Sequence, residues 1–545
     1  MDSTWSLFEK KEDDSPDVDV GGGIFGFSGK KLEPLQFSNG KNQEDIVKEV
    51  LEKIAKGKKI IFIKGVCGTG KCLEKDTLIF CKPKNSNFFS YHKVSDLVGN
   101  KGEIISLNKS GELVVSTFKN VRLTETKKLF KLVTRSGREI IASENHPFLS
   151  INEEGTSWTK LKNLNNNSYI CLPNKLNLDN FEPTLKDSEL KILGHLISEG
   201  KLGDKAGSPR YYQDKNNQLT RNDYINSLKE LFPEGKIQDS HPNQIDITFN
   251  NRDTRFGTTN KLRLFIQKFG LDGKKSPNKF VPEIIFNLPK EKIALFLQAL
   301  YSGYGSIYFK KPNKKGNEEI IIEYDSISKR LILDISILLT RFGIQHTITT
   351  HKFRDNPQYS WRITISSQVQ VKKFIEEVGF IGEKRIVAKN VLNKCKVHKF
   401  TNIDKVPRVI RNYLKNKGYG PQELDKYLNY DKIAELRENF SFNKIKKKKL
   451  TKTQHVFCQS KINFLRAHLR KVNEYIKDPQ IGFICSDQIF WDKIKSIEFL
   501  KEDIAYDLEV PNENNFIANG IIVHNSAIAL NLARHFSKTS IVVPI

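Results

Sequence analysis

Gly65-Val66-Cys67-Gly68-Thr69-Gly70-Lys71 is followed by Cys72, and far downstream Val523-His524-Asn525 is followed by Ser526. The first stretch is a phosphate-binding loop without its last letter, because the pattern G-x-x-x-x-G-K-[ST] ends on Ser or Thr. Removing residues 72–525 closes it as Gly70-Lys71-Ser526. The joined sequence continues as SAIALNLARHF, the amphipathic start of a helix, and Lys59-Ile60-Ile61-Phe62-Ile63 upstream is a short apolar strand. Strand, Gly-rich loop and helix are the frame in which such a loop works. Backbone N–H groups around Gly65, Gly68 and Gly70 would then cradle phosphates, Lys71 would reach the terminal ones, and Ser526 would hold Mg2+.

Charge divides the chain at the same two points. Residues 1–71 carry 12 basic and 12 acidic residues, whereas residues 72–525 carry 75 basic and 51 acidic, most of the net +26. A neutral host interrupted by a basic insert points to two proteins with different partners, and the basic one to nucleic acid. A merely lysine-rich coding composition is the alternative. The chain, 545 residues long, is too long for one core. It has no run of eighteen apolar residues, so no membrane span is expected. An acidic, polar N-terminus without a signal-peptide core, and seven cysteines without disulfide spacing, suit a reducing, cytoplasmic setting.

The junction residues carry matched chemistry. The Cys72 thiol can attack the Lys71 carbonyl and turn an amide into a thioester. The Ser526 hydroxyl can take over that acyl group. Asn525 can cyclise through its side-chain nitrogen onto its own carbonyl and cut the Asn525–Ser526 bond. The Lys71–Ser526 ester left behind rearranges to an amide, because a neighbouring amine has very high effective molarity.

With these residues in view, the insert resembles an intein of the Hint family. Cys72 opens a first block, CLEKDTLI; Ser143-Glu144-Asn145-His146 matches the family's T-x-x-H, with Ser143 in place of Thr; Tyr506-Asp507-Leu508-Glu509-Val510 and Asn515-Phe516-Ile517 match the penultimate block; and Asn519 to Ser526 match the last. The resemblance implies that His146 polarises the Lys71–Cys72 amide, that Asp507 assists the first cleavage and that His524 assists Asn525. Asn514 stands where the family often has His. Splicing of this kind needs no cofactor. Alternating stretches such as Ile104-Ile105-Ser106-Leu107 fit a mostly β splicing domain over 72–180, completed by 481–525.

Two further stretches, Ile192 to Gly200 and Leu297 to Gly305, resemble the paired LAGLIDADG helices of homing endonucleases. Ordinary buried helices ending in Gly are the alternative. The resemblance implies an α+β domain over 185–390, small residues Gly194 and Ala299 at the helix contact, sheets that saddle double-stranded DNA, and two carboxylates sharing Mg2+. Glu199 is the first acid and metal candidate; Tyr304 occupies the second acid position. A phenol at its usual pKa cannot replace a carboxylate, so double-strand cleavage is expected to be lost or severely weakened. Lys279 is a candidate charge-stabilising residue, with a surface lysine the alternative. Residues 391–480 are expected to be a basic, helical DNA-contacting subdomain or a solvated lysine loop. Cys395, His398, His455 and Cys458 have the types and pair spacing of zinc ligands.

The expected whole is multidomain: a Hint domain holding an endonuclease domain, flanked by pieces of an α/β P-loop NTPase. The flanks resemble the first motor motif of superfamily 2 DNA helicases. Residues 1–71 and 526–545 are too short for a complete enzyme, so the chain is expected to be part of a larger ATP- and nucleic-acid-binding product. Two other readings stay open: an active site-specific endonuclease, or an ATP-binding protein with an inert insertion.

Overall fold

The structure is a computed structural model that describes residues 72–178, 185–203, 208–239, 241–249, 260–310, 319–352, 359–394, 405–419 and 464–525. The phosphate-loop residues Gly65, Gly68, Gly70, Lys71 and Ser526 lie outside the described residues, as do Cys395, His398, His455 and Cys458.

The first part of the insert is all strand apart from two short 3-10 turns: β1 Leu78–Pro83, β2 Ser90–Lys93, β3 Gly102–Leu107, β4 Leu113–Thr134, β5 Glu139–Ser143, β6 Pro147–Asn152, β7 Gly155–Lys160 and β8 Tyr169–Pro173. The middle begins with α1 Asp187–Glu199, β9 Gly200–Lys201, β10 Arg210–Tyr212, α2 Gln218–Leu231, β11 Lys236–Gln238, β12 Gln244–Thr248 and α3 Lys261–Gln267. The same order then recurs as α4 Lys290–Gly303, β13 Ser306–Lys310, β14 Glu319–Ser326, α5 Lys329–Arg341, β15 Thr347–Lys352, β16 Tyr359–Ile365 and α6 Gln368–Glu377. Next come α7 Glu383–Lys394, β17 Lys405–Val406, α8 Ile410–Asn416, β18 Phe464–Leu465, α9 Arg466–Ile476 and α10 Pro479–Ile484. The chain returns to strand with β19 Ile489–Glu509, β20 Asn515–Ala518 and β21 Ile521–His524.

The strands at the two ends form one eleven-stranded sheet in the order β19-β8-β6-β21-β20-β1-β3-β4-β5, with β2 on β1 and β7 on β6. Strand β19 closes it on itself. Its first residues, Ile489 to Lys493, pair with β8, and Ile494 to Glu509 pair with β4. Closure removes sheet edges that would otherwise leave backbone groups unpaired. Strand β4 buries Leu113, Phe118, Val121, Leu129 and Leu132 and exposes charged residues such as Lys119, Glu125 and Lys128. The β20–β21 hairpin turns on Asn519 and Gly520, both at positive φ (48° and 74°), the conformation for which an Asn-Gly pair is suited.

The middle is a duplicated α+β unit. Its two four-stranded sheets share one order, β9-β10-β12-β11 and β13-β14-β16-β15. Helices α1 and α4 pack face to face, and Gly194 makes this approach possible. A Cβ there would lie 2.6 Å from the Phe296 carbonyl oxygen and 2.8 Å from the Ala299 Cβ. The Ser328 hydroxyl caps the first turn of α5 by accepting from the Leu331 N–H at 3.1 Å. The described part of the basic stretch packs on the eleven-stranded sheet: buried Arg466 donates to the Ile489 carbonyl at 3.0 Å, and the Thr156 N–H donates to Gln480 at 3.2 Å. The lysine run from Lys444 to Lys449 lies outside the described residues.

Candidate functional site

The chain enters the sheet at Leu73, which bridges two strands. Leu73 exchanges both backbone hydrogen bonds with Tyr506 of β19, each 2.8 Å, and bridges Ala142 of β5 on its other side. Cys72 is thereby fully buried. Its N–H, the nitrogen of the Lys71–Cys72 amide, donates to the Ser143 hydroxyl oxygen at 3.0 Å, and its carbonyl accepts from the Ser143 N–H at 3.0 Å.

The Thr124 hydroxyl lies 3.3 Å from the Cys72 Sγ and donates to the Ala505 carbonyl at 3.0 Å. Burial pushes the thiol up to about 11; the bond from Thr124 opposes this, the Asp507 charge adds to it, and Lys127 and Arg122 oppose it. Asp507, on β19, is buried, accepts from the Leu508 N–H at 3.0 Å and has its Oδ2 3.9 Å from an Arg122 guanidinium nitrogen. His146 follows Ser143 in a tight turn, its N–H donating to the Ser143 carbonyl at 3.0 Å. Its ring is buried against Phe148, centroids 5.3 Å apart.

The other junction is held by the β20–β21 hairpin. The His524 Nδ1 lies 2.6 Å from the Asn525 carbonyl oxygen, and the Trp158 indole stands nearly perpendicular to the imidazole with centroids 4.8 Å apart. The Asn525 side-chain nitrogen donates to the Val510 carbonyl at 3.3 Å, and its N–H donates to the Asn514 carbonyl at 3.0 Å. Asn514 sits at φ 53°, so it shapes the loop with its backbone. Cys72, Ser143, His146, Asp507, His524 and Asn525 therefore all sit on one closed sheet, every one of them buried.

The second cluster lies where α1 and α4 end. The Ser198 hydroxyl donates to the Leu300 carbonyl at 2.8 Å and accepts the Tyr304 N–H at 2.8 Å, which ties the two helix ends together. Glu199 is the last residue of α1; burial raises its carboxyl, opposed by Lys279 and Lys384. Tyr304 follows α4, is 52% exposed, and is raised by burial and by the charges of Glu199 and Asp325, so it stays a neutral phenol. Lys279 is not the surface lysine of one reading: it is 6% exposed. Its Nζ donates to the carbonyls of Ile197 (2.8 Å) and Gly200 (2.9 Å) at the end of α1. Lys384, which nothing in the sequence singled out, does the same for α4 through Ser302 (2.8 Å) and Gly303 (2.7 Å). Carbonyls at a helix C-terminus attract cations. Burial pulls both ammonium groups down to about 8, opposed by the Glu199 charge. The donor set does not fit a pair of Mg2+ ions. One carboxylate, one phenol and two lysines occupy it, and among the described residues no group of three or more His, Cys, Asp or Glu could hold a metal.

Thr124, Trp158 and Arg122 also escaped the sequence. Each reaches its partner through strand pairing between distant segments, and none belongs to a linear motif.

A family model for the intein splicing domain matches residues 86–525. Among curated relatives, the replicative DNA helicase DnaB of Nostoc sp. (strain PCC 7120 / SAG 25.82 / UTEX 2576) is 29% identical over 475 residues, 84% of this chain and 49% of that protein. The chain spans about half the length of the curated relatives it matches. Among solved structures, a DnaB intein from Synechocystis sp. PCC 6803 aligns at 30% identity over 19% of this chain and 68% of that one, TM-score 0.17. The homing endonuclease I-DmoI in complex with DNA and Mn aligns at 17% identity over 35% of this chain and 96% of that one, TM-score 0.24.

Proposed function

The chain belongs to the intein splicing domain family, and from that premise we propose that it excises residues 72–525 and joins Lys71 to Ser526. The Cys72 sulfur attacks the Lys71 carbonyl, the carbon–nitrogen bond breaks, and the freed Cys72 amine takes up a proton. The Ser526 oxygen displaces the thiol, which leaves an ester and a branched chain. The Asn525 side-chain nitrogen then attacks its own carbonyl, expels the Ser526 amine and closes to a succinimide. That amine captures the adjacent ester, giving an ordinary peptide bond and a free hydroxyl.

The observation that carries this reading is the Cys72 N–H held by the Ser143 hydroxyl at 3.0 Å. The amide to be broken is fixed at its leaving nitrogen, in a buried pocket built by both ends of the insert. His146 polarises this amide and protonates its nitrogen, Asp507 assists, and His524 stabilises the charge that forms on the Asn525 oxygen. All these groups belong to the chain itself, so splicing needs no cofactor.

The flanks, once joined, form the phosphate loop of an ATP- and Mg2+-dependent, helicase-like host that acts on nucleic acid; the helicase names of curated relatives support this. The duplicated α+β unit is a homing-endonuclease-type domain that holds double-stranded DNA. Its cutting is lost or severely weakened, because Tyr304 stands at the second acid position.

Expression of the full chain under reducing conditions, followed by mass measurement, tests the proposal. A product joining residues 1–71 to 526–545, with a free insert, is expected. Uncut chain, or splicing that survives Cys72→Ala or Asn525→Ala, would overturn it.

A further inference from the structure

The turn between β4 and β5 is gripped by the inserted domain. The Ser136 carbonyl accepts from the Ile348 N–H at 2.7 Å. Arg138 is 9% exposed; it donates to the His346 carbonyl at 3.0 Å and to the Ser336 hydroxyl at 3.1 Å, and its Nη2 lies 2.7 Å from the His346 Nε2. The His346 Nδ1 lies 2.9 Å from the Ile344 carbonyl oxygen, so Nδ1 carries the ring proton and Nε2 accepts from the guanidinium. Nearby, the Lys329 ammonium of α5 meets the Glu139 carboxylate at 3.1 Å.

These contacts sit at one end of β5, and Ser143, which holds the Cys72 N–H, sits at the other. Arg138 also touches the second half-site. A Cβ on Gly520 would lie 3.7 Å from the Arg138 Cγ. Its neighbour Asn519 donates to the Glu139 carbonyl at 2.9 Å and accepts from the Leu78 N–H at 2.8 Å. The turn of Asn519 and Gly520 opens β21, which ends at His524. One buried guanidinium thus links the second repeat of the inserted domain to the strands that carry both junctions. Aromatic packing reinforces the join: Phe80 meets Phe286 edge-on at 5.7 Å, and Asn287 exchanges two 3.0 Å hydrogen bonds with the Phe89 backbone.

We propose that Arg138 and His346 form a positioning contact for splicing, through which the endonuclease-type domain holds β5 and the β20–β21 turn in register. Splicing of this chain then depends on the domain it carries, whether or not that domain cuts DNA. The inference rests on the splicing reading and adds a requirement to it.

The test uses the full chain with Arg138→Met, His346→Phe, the double variant, and Ser336→Ala as a milder change that opens little space. Hydroxylamine cleavage at Cys72 reports the first step, and Asn525-dependent cleavage in a Cys72→Ala background reports the last. Well below the melting temperature, each single variant at Arg138 or His346 should slow the first step about tenfold or more and the last step less. The double variant should be no slower than the slower single variant, because both remove one contact. Ser336→Ala should move the first step in the same direction by a smaller factor. Unchanged first-step rates would overturn the inference while leaving splicing intact; so would losses that fall equally on both steps and track the melting temperature. A parent chain that does not splice at all would instead remove the splicing reading.

Discussion

The Nδ1 of His524 lies 2.6 Å from the carbonyl oxygen of Asn525, its own neighbour in the chain. A carbonyl oxygen only accepts, so Nδ1 carries the proton. In the proposed cleavage, negative charge gathers on that oxygen as the Asn525 side chain closes on the carbonyl, and the imidazole is aimed at it. Trp158, edge-on at 4.8 Å, fixes the ring.

Replacing His524 by Ala should therefore slow C-terminal cleavage on the order of 100-fold, the usual cost of one oxyanion donor. The earlier acyl shifts should continue, so the branched intermediate should accumulate on denaturing gels. Trp158→Ala should produce a smaller effect of the same kind. An unbranched, unspliced chain as the main species would contradict this assignment.

Ser143→Ala leaves the buried Cys72 N–H without its 3.0 Å acceptor. An orphaned buried donor costs about 1–3 kcal/mol, so hydroxylamine cleavage at Cys72 should fall about tenfold or more. Ser143→Thr keeps the oxygen and should retain most of the rate.

The buried thiol of Cys72, pushed up to about 11, makes the first step sensitive to alkali. Attack needs the thiolate, which is on the order of one part in 10,000 at pH 7. In an Asn525→Ala background, the rate of thioester formation should rise about tenfold per pH unit between pH 7 and pH 9. Thr124→Val removes the bond that lowers the thiol's pKa and should slow the step throughout. The window stops at the thiol's ordinary value of 9.0. Above it, an unfolded chain ionises more readily than the folded one, and stability falls as pH rises.

Tyr304 faces the Glu199 charge as a neutral phenol. The chain should retain supercoiled plasmid carrying the uninterrupted host sequence without linearising it. Tyr304→Asp should raise Mg2+-dependent nicking or cutting at least tenfold, since it restores the second carboxylate of a two-ion site. Efficient cutting by the unaltered chain would remove the degeneracy reading.

What was legible in the sequence is what chemistry places locally. Cys72, Asn525 and the interrupted loop are read from neighbours in the chain, and so are the two stretches from Ile192 to Gly200 and from Leu297 to Gly305. The mostly β character of the first domain followed from alternating stretches, whereas the α+β character of the second came from the resemblance of two stretches to paired LAGLIDADG helices. What escaped depends on pairing at long range. Thr124 meets Cys72 only because β4 runs beside β19, and Arg138 meets His346 only because two domains share a buried face. Lys384 looks like an ordinary surface lysine until the end of α4 above it is known. The Tyr304 substitution was visible and Lys279 was a candidate, but Lys384 on the other side of Glu199 was not.

The pairing of Leu73 with Tyr506 has a consequence during translation. The ribosome delivers Cys72 long before β19, and the Leu78 N–H waits for Asn519, 441 positions later. Until then the pocket of Cys72 lacks its β19 side, so in the proposed reaction thioester formation waits for the second junction. The order of synthesis thus acts as a safety interlock: the flank ending at Lys71 stays covalently secure until the residues that will receive it have been made.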